Sequence, residues 1–382
     1  MGYIGQAPTD VPLTGSDLAD SIINSAKIAD GTIVQGDMDM TSNYAFSGTV
    51  SGAGAPSHRN DIINGGLVVN QENQTAPADD DYTIGDLFLH VGEGTPVMSL
   101  EADGPQGTRP WQKMVLDANA QGGLVYFLSN DDIQDYIANG KMSFGIQLKT
   151  TAATISNARI GILKWVGTAD VMTSDVVGTW ASDGTNPTLA TSWSYENTPA
   201  NIGLTTSWAR HTVEDVTVDS DTKNIAIFIW TDDGTITASD VIGFSEWQMN
   251  PGATVNDFSQ PDAGTVQGQV DYYLQRFEYT STTSELVTSA TAQLSAIINY
   301  FGIQFRNAMR SVPAITASGA GTFTVSGLGT PRVGTGIAFS LTGLQNLRIG
   351  LNIATGSFAA HNVNYILRDG TDTTWVMMDA RY

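Results

Sequence analysis

Residues 224–230 read Asn-Ile-Ala-Ile-Phe-Ile-Trp, and their alternation leaves little choice of local structure. In an extended chain successive side chains point to opposite sides. Ile225, Ile227 and Ile229 then face one way, and Ala226, Phe228 and Trp230 the other, giving a strand apolar on both sides. Runs of similar length recur from residue 60 onward: "GGLVVNQ", "MSFGIQLKT", "ARIGILKWVG" and "HTVEDVTVD". Each is rich in β-formers and ends in a Gly, Asp or Asn turn. One exception, "SNDDIQDYIANG", carries Ile133, Tyr136 and Ile137 at helical spacing behind Asp and Asn caps, and predicts a turn or two of helix. Closely spaced strands without intervening amphipathic helices predict an all-β protein whose residues 59–262 form an antiparallel jelly-roll sandwich.

The composition agrees. The chain has 382 residues, long for one domain, with 40 Gly and only 15% charged residues. Gly, Asn and Asp accept the positive φ that tight hairpins demand. The absence of Cys removes disulfides and thiolate chemistry. A net charge of −22 repels phosphate backbones, so nucleic acid is not an expected partner. No run of about 18 apolar residues predicts a membrane span. The start, "MGYIGQAPTDVPLTG", lacks the basic-then-apolar order of a secretory signal. Charge is uneven: residues 1–300 sum to about −25, whereas residues 301–382, with 6 Arg and 3 Asp, sum to about +3.

Residues 1–58 form a separate region. Leu18-Ala19-Asp20-Ser21-Ile22-Ile23 is echoed by Ile28-Ala29-Asp30-Gly31-Thr32-Ile33, and "SGTVSGAGAPS" follows as a small-residue linker. The apolar side chains Leu18, Ile23, Ile28 and Ile33 are too few for a core of their own. They predict oligomerisation with identical copies, most simply a homotrimer; the other reading is a tail that orders on another protein. "FSQPDAGTVQGQ" marks the second boundary, and the β runs of 263–382 predict a second sandwich.

Three blocks resemble phage tail-fibre and receptor-binding fibre proteins. "DIINGGLVVNQENQTAPADDDYTIGDLFL" is similar to that family's opening segment, and "VIGFSEWQMNPGATVNDFSQPD" to its closing strand. "DYYLQRFEY" with "NAMRSVPAIT" resembles the signatures of its terminal domain, and "YIGQAPTDVPLT" with "AKIADGTI" its attachment end. Leu274 stands where the family usually has Cys, and Met249-Asn250 where it has Leu-Glu. The resemblance implies a virion structural protein: an attachment arm over 1–58, a jelly roll resembling carbohydrate-binding modules over 59–262, and a distal, receptor-facing sandwich over 263–382. It further implies a homotrimeric fibre assembled in the host cytoplasm, its arm on other virion proteins, and adsorption to a host glycan or outer-membrane receptor. The alternative is a capsid or head fibre, or tail-tip decoration, without its own receptor site.

No catalytic constellation is legible, and the expectation is a non-enzyme without cofactor. The four His, at 58, 90, 211 and 361, lack metal-ligand spacing, and no G-x-S-x-G or P-loop occurs. Acidic turns at 79–82, 129–132, 219–222 and 231–234 offer oxygen ligands of the kind calcium uses, but none has an EF-hand pattern. Sugars stack on aromatic rings. Trp165, Trp208, Trp230 and Trp247 sit in or beside strand runs and read as core. Trp193 and Tyr195, in the Asn/Pro/Ser/Thr-rich stretch that begins just after Trp180, are the candidate glycan platform with Trp180; the competing reading pins them to their own sandwich or to a neighbouring subunit. Arg306, Arg310, Arg332, Arg348 and Arg368 either face an anionic surface polysaccharide or pair with Asp of an adjacent protomer.

Overall fold

A computed structural model describes residues 60–117, 121–151, 155–181, 184–231, 236–279, 285–287, 298–319, 323–326, 332–341, 346–353, 365–368 and 374–381. All belong to one compact unit, Pro56–Tyr382. Leu18, Ile23, Ile28 and Ile33 lie outside the described residues.

Thirteen strands and a short helix make the first part. They are β1 (Phe88–Gly92), β2 (Val97–Glu101), β3 (Trp111–Val115), β4 (Gly122–Leu128), α1 (Gln134–Asn139), β5 (Lys141–Thr150) and β6 (Asn157–Trp165). After these come β7 (Val177–Thr179), β8 (Thr188–Leu189), β9 (Trp193–Tyr195) and β10 (Ile202–Gly203). The long strands β11 (Ala209–Thr217), β12 (Asn224–Thr231) and β13 (Val241–Pro251) complete the set. Sheet I has the order β1-β4-β12-β6-β10, with β9 also on β6; sheet II has the order β11-β5-β13-β3-β2. Every pairing is antiparallel. Consecutive long strands cross from one sheet to the other, as in a jelly roll: β3 to β4 to β5 to β6, then β11 to β12 to β13.

The alternation read at 225–230 decides how the layers stack. Ile225, Ile227 and Ile229 enter the core between the sheets, with Ile160 and Ile162 of β6 and with Phe144, Ile146, Phe244 and Trp247 of sheet II. Ala226, Phe228 and Trp230 enter a second core on the opposite side of sheet I. That side also carries Leu89, Val125, Phe127, Leu163 and Trp165, and apolar area of this size must be covered. Its cover is the β6–β11 excursion, which supplies Val176, Val177 and Trp193, with Trp180, Leu189 and Tyr195 packed against them. The expected helix is present as α1, closed by Gly140 in the left-handed conformation, with Ile133 and Tyr136 buried beneath it.

The later residues are also antiparallel β. After α2 (Ala263–Val270) come β14 (Leu274–Tyr279), β15 (Glu285–Val287), β16 (Ile298–Gln304), β17 (Ala314–Ala317) and β18 (Phe323–Ser326). Strands β19 (Arg332–Leu341), β20 (Asn346–Ile353), β21 (Tyr365–Arg368) and β22 (Thr374–Asp379) end the chain. They form a three-stranded sheet β14-β22-β17 and a six-stranded sheet β15-β21-β18-β19-β20-β16. Asp262 caps α2 by accepting from the backbone N–H groups of Gly264 and Thr265 at 3.0 and 3.1 Å. Val266, Val270, Tyr273 and Leu274 join the core between sheets I and II, so the apolar cluster is continuous across residue 263.

Charge reinforces that junction. Arg306 grips Asp271 with two hydrogen bonds of 2.8 Å, and Arg310 lies 3.3 Å from Asp170. Arg381 bonds Asp379 and Glu72 at 2.6 Å each and lies 3.7 Å over the Tyr82 ring. Arg306 and Arg310 thus find carboxylates within their own chain. Arg332, Arg348 and Arg368 lie on β19, β20 and β21.

Candidate functional site

The two sheets present different outer sides. Sheet II turns Met142, Phe144, Ile146 and Leu148 of β5 inward, so Ser143, Gly145, Gln147 and Lys149 point outward. Register extends this polar side across the sheet. Ser99, Lys113, Gly243 and Lys149 form one cross-strand row, and Glu101, Trp111 form the next with Ser245, Gln147 and Arg210. Trp208, just ahead of β11, completes the first row.

At Gly243 the sheet is bare, and aromatic rings use the space. A Cβ there would meet Trp111 at 2.9 and 3.0 Å and the tip of Trp208 at 3.0 Å. The two indoles meet edge to face with centroids 5.4 Å apart. Lys149 Nζ lies 4.0 Å from the Trp111 centroid and 4.7 Å from that of Trp208, two cation–π contacts that hold the ammonium in place. Trp111 donates its indole N–H to Asp103 at 2.8 Å; that bond, aided by the nearby Lys149 and Lys113, holds the Asp103 carboxyl below its usual range.

The rest of this side is partly closed. Residues 251–259 fold back over its far half, where Arg210 donates to the Asn256 carbonyl at 2.6 Å and Ser143 to that of Gly252 at 2.9 Å. Arg109 stacks over Phe258 at 5.4 Å and pairs with Glu246 at 3.5 Å, forming a rim. Inside the rim, Trp208, Lys113, Gln147 and Lys149 keep intermediate exposure. Among the described residues, the Gln147 carboxamide makes no hydrogen bond and neither lysine makes an ion pair. The result is a shallow aromatic and polar trough whose Gln147, Lys113 and Lys149 donors have no acceptor among the described residues.

A separate cleft of about 490 Å³ opens between the edges of the two sheets, beside β10 and β11. Its polar groups are structural anchors. Asn197 bonds the backbone of Ile160 and Ile162, and Glu196 accepts from the Asp219 N–H and the Thr222 hydroxyl. Glu214 accepts from the Val255 N–H, and Asp215 pairs with Lys141 at 3.1 Å. Burial pushes the Glu196 carboxyl up.

The residues singled out from sequence as a glycan platform lie elsewhere. Trp193 is only 6% exposed, with its ring 5.2 Å from Trp165 and 5.8 Å from Phe127. Tyr195 donates to the Pro187 carbonyl at 3.0 Å and packs beside Trp230, and Trp180 packs on Phe228 at 6.0 Å. Trp193 is therefore corrected from exposed platform to plug, pressed by the β9–β6 pairing onto the apolar side of sheet I, while Tyr195 and Trp180 pack against the same side and keep intermediate exposure. Trp208 is the converse case. Read from sequence as core, it belongs to neither apolar cluster. One signal was available: alternation in "WQKMV" places Trp111 on the side of Lys113, not of Met114.

The acidic turns act locally. Asp79 accepts from the Gly92 N–H, Asp81 from that of Ala78, and Asp132 from Ser129 and Tyr273, while Asp219 and Asp221 hold Lys164. The turn at 231–234 falls largely outside the described residues. Among the described residues no three or more of His, Asp and Glu are placed to hold a metal ion, and no helix is long and apolar enough to cross a membrane.

No family model matches the chain, and no curated protein matches it. Solved structures similar in part include a family 61 carbohydrate-binding module in complex with β-1,4-galactotriose. It has TM-score 0.30 and 12% identity, over 51% of this chain and 99% of that one. A xylan-binding domain from Paenibacillus barcinonensis has TM-score 0.28 and 10% identity, over 51% and 96%. A family 11 module from Clostridium thermocellum, in complex with a mixed-linked tetrasaccharide, has TM-score 0.26 and 12% identity, over 47% and 95%.

Proposed function

We propose that this chain is a non-catalytic glycan-recognition protein of a virion fibre, and that it binds sugar on the outer side of sheet II. One observation carries the sugar-binding reading: Trp208 is partly exposed beside Trp111 on the polar side of the sheet, flanked by the polar ends of Gln147, Lys113 and Lys149, none of them ion-paired or hydrogen-bonded among the described residues. A pyranose needs an aromatic face for its C–H side and planar amides or ammonium groups for its hydroxyls, and the trough offers both. A shallow open trough suits a segment of polysaccharide, which enters from the side. Single-site affinity in such a surface is weak, and a homotrimeric fibre present in several copies multiplies it through avidity. The fibre role is supported by the sequence blocks that resemble phage tail-fibre proteins and by the doubled apolar phrase of the arm, for which identical copies are the simplest partner.

Affinity electrophoresis of the full chain against a panel of neutral and acidic polysaccharides tests the binding. Retardation by at least one polymer is expected, lost in Trp208→Ala and kept in Tyr195→Phe. Retardation unaffected by Trp208→Ala would move the site elsewhere. Adsorption of particles to host cells, blocked by the isolated protein, tests the fibre role; a protein that binds sugar yet never competes with particles would place it in decoration.

A further inference from the structure

The charge of the trough runs against that of the molecule. The chain has 39 acidic and 17 basic residues, so a cation normally finds a carboxylate. Lys141, Lys164, Arg276, Arg306, Arg310 and Arg381 all do. On the outer side of sheet II the pattern breaks. Lys113 and Lys149 share one cross-strand row, separated only by Gly243, and among the described residues neither is ion-paired. Arg210 lies one row away and spends its described bond on a backbone carbonyl. Three carboxylates are close: Glu246 pairs with Arg109, while Glu101 and Asp103 accept from the neutral Ser99 hydroxyl and Trp111 indole, and Asp103 feels both lysines from beyond ion-pair distance.

We infer that the trough selects an acidic polysaccharide, its sugar-ring carboxylate meeting the Lys113 and Lys149 ammonium groups beside the paired Trp111 and Trp208 rings. This rests on the sugar-binding reading above and narrows it to a chemical class. Neighbouring strands lie about 4.8 Å apart, so the two lysines straddle a slot about 10 Å wide at the backbone. Gly243 puts no side chain of its own there, so the Trp111 and Trp208 rings lie close over the sheet and form the floor of that slot. The cation–π contacts fix the Lys149 ammonium beside Trp208, so one sugar residue can stack on the indole while its carboxylate meets the charge. The distant negative charge of the protein does not defeat this. At physiological ionic strength the Debye length is about 8 Å, and exposed acids farther away are largely screened. They instead reject acidic polymer from the rest of the surface, which confines it to the trough.

The test compares one polymer in two forms. Alginate, polygalacturonate and hyaluronan are each offered to the full-length protein natively and after chemical reduction of their carboxylates to alcohols. Binding of at least one native polymer is expected, weakened tenfold or more by reduction and several-fold by raising salt from 50 to 500 mM. Lys113→Gln and Lys149→Gln should each weaken native binding about three- to tenfold and weaken any binding of the reduced polymer by no more than about twofold. Lys223→Gln, remote from the trough, controls for net charge and should change nothing. Equal binding of native and reduced polymer would overturn the acidic preference and leave sugar binding standing. No binding of any native or reduced polymer would overturn both.

Discussion

The two sheets of the sandwich were built from similar strands and given opposite fates. Sheet I is apolar on both sides, because β12 alternates isoleucine with Ala226, Phe228 and Trp230. It is buried twice, once against sheet II and once under the β6–β11 excursion. Sheet II is apolar on one side only, since glycine, serine, glutamine and lysine occupy most of its outer positions on β5 and β13. The hydrophobic effect closes the first sheet; nothing of comparable size closes the second. Aromatic residues on the two sheets therefore mean different things. Trp193 and Trp230 are cover and core, whereas Trp111 and Trp208 lie against a polar sheet beside Lys113 and Lys149.

The sharpest way to break this comparison is to empty each side in turn. Phe228→Ala, in the second core at 0% exposure, should destabilise by about 3–5 kcal/mol in urea unfolding. Arg381→Ala should cost about as much, because it strands Glu72 and Asp379 and uncovers Tyr82. If either behaves like a surface change, the outer side of sheet I is not a sealed core.

A matched glycine pair comes next. Gly123 of sheet I would place a Cβ 2.0 Å from the Ile229 carbonyl oxygen and 2.7 Å from the Trp230 Cα, both backbone. Gly123→Ala should then cost about 2–3 kcal/mol, as overpacking does where nothing can give. At Gly243→Ala the nearest atoms are side-chain ring atoms of Trp111 and Trp208 rather than backbone, and the partly exposed Trp208 has room to shift. The substitution should cost about 1 kcal/mol and still abolish polysaccharide retardation. Equal losses of stability from the two would show that the trough is as rigid as the core.

Trp208→Ala follows, with stability held within about 1 kcal/mol and affinity reduced at least tenfold, about 1.4 kcal/mol in binding. Calorimetric unfolding and titration on the same sample separate the two effects.

The smallest expected effect concerns the seam of the cover. Asp80 faces Asp175 of the excursion, and burial first, then Asp175 and Asp79, raise its carboxyl to about 6. A carboxyl that holds its proton more tightly folded than unfolded lowers stability as pH rises from about 4 to about 6. Asp80→Asn should therefore stabilise the protein at pH 7, by under about 1 kcal/mol given its solvent contact, and the gain should vanish below pH 4. A variant whose gain persists at pH 3 would place the benefit in packing, not charge.

Local chemistry was legible from the chain alone. Runs of β-formers marked β5, β6, β11 and β12, though "GGLVVNQ" forms no strand; the Asp and Asn before Ile133 marked α1, and residues 225–230 announced a strand apolar on both sides. The candidate site was not legible, for a geometric reason. Trp111, Gly243, Lys149 and Trp208 come from β3, β13, β5 and the approach to β11, and only strand order makes them neighbours. Trp193 was misleading for the same reason, since a polar loop sequence does not reveal that its few rings answer to Phe127 and Trp165.

Sequence thus determined which strands form and which of their sides avoid water, because those properties repeat every two residues along one chain. The tertiary structure decided which apolar side received a cover and which polar side stayed open. That choice depends on long-range pairing, where a tryptophan's meaning is set by the residue across the sheet rather than by those beside it in the chain.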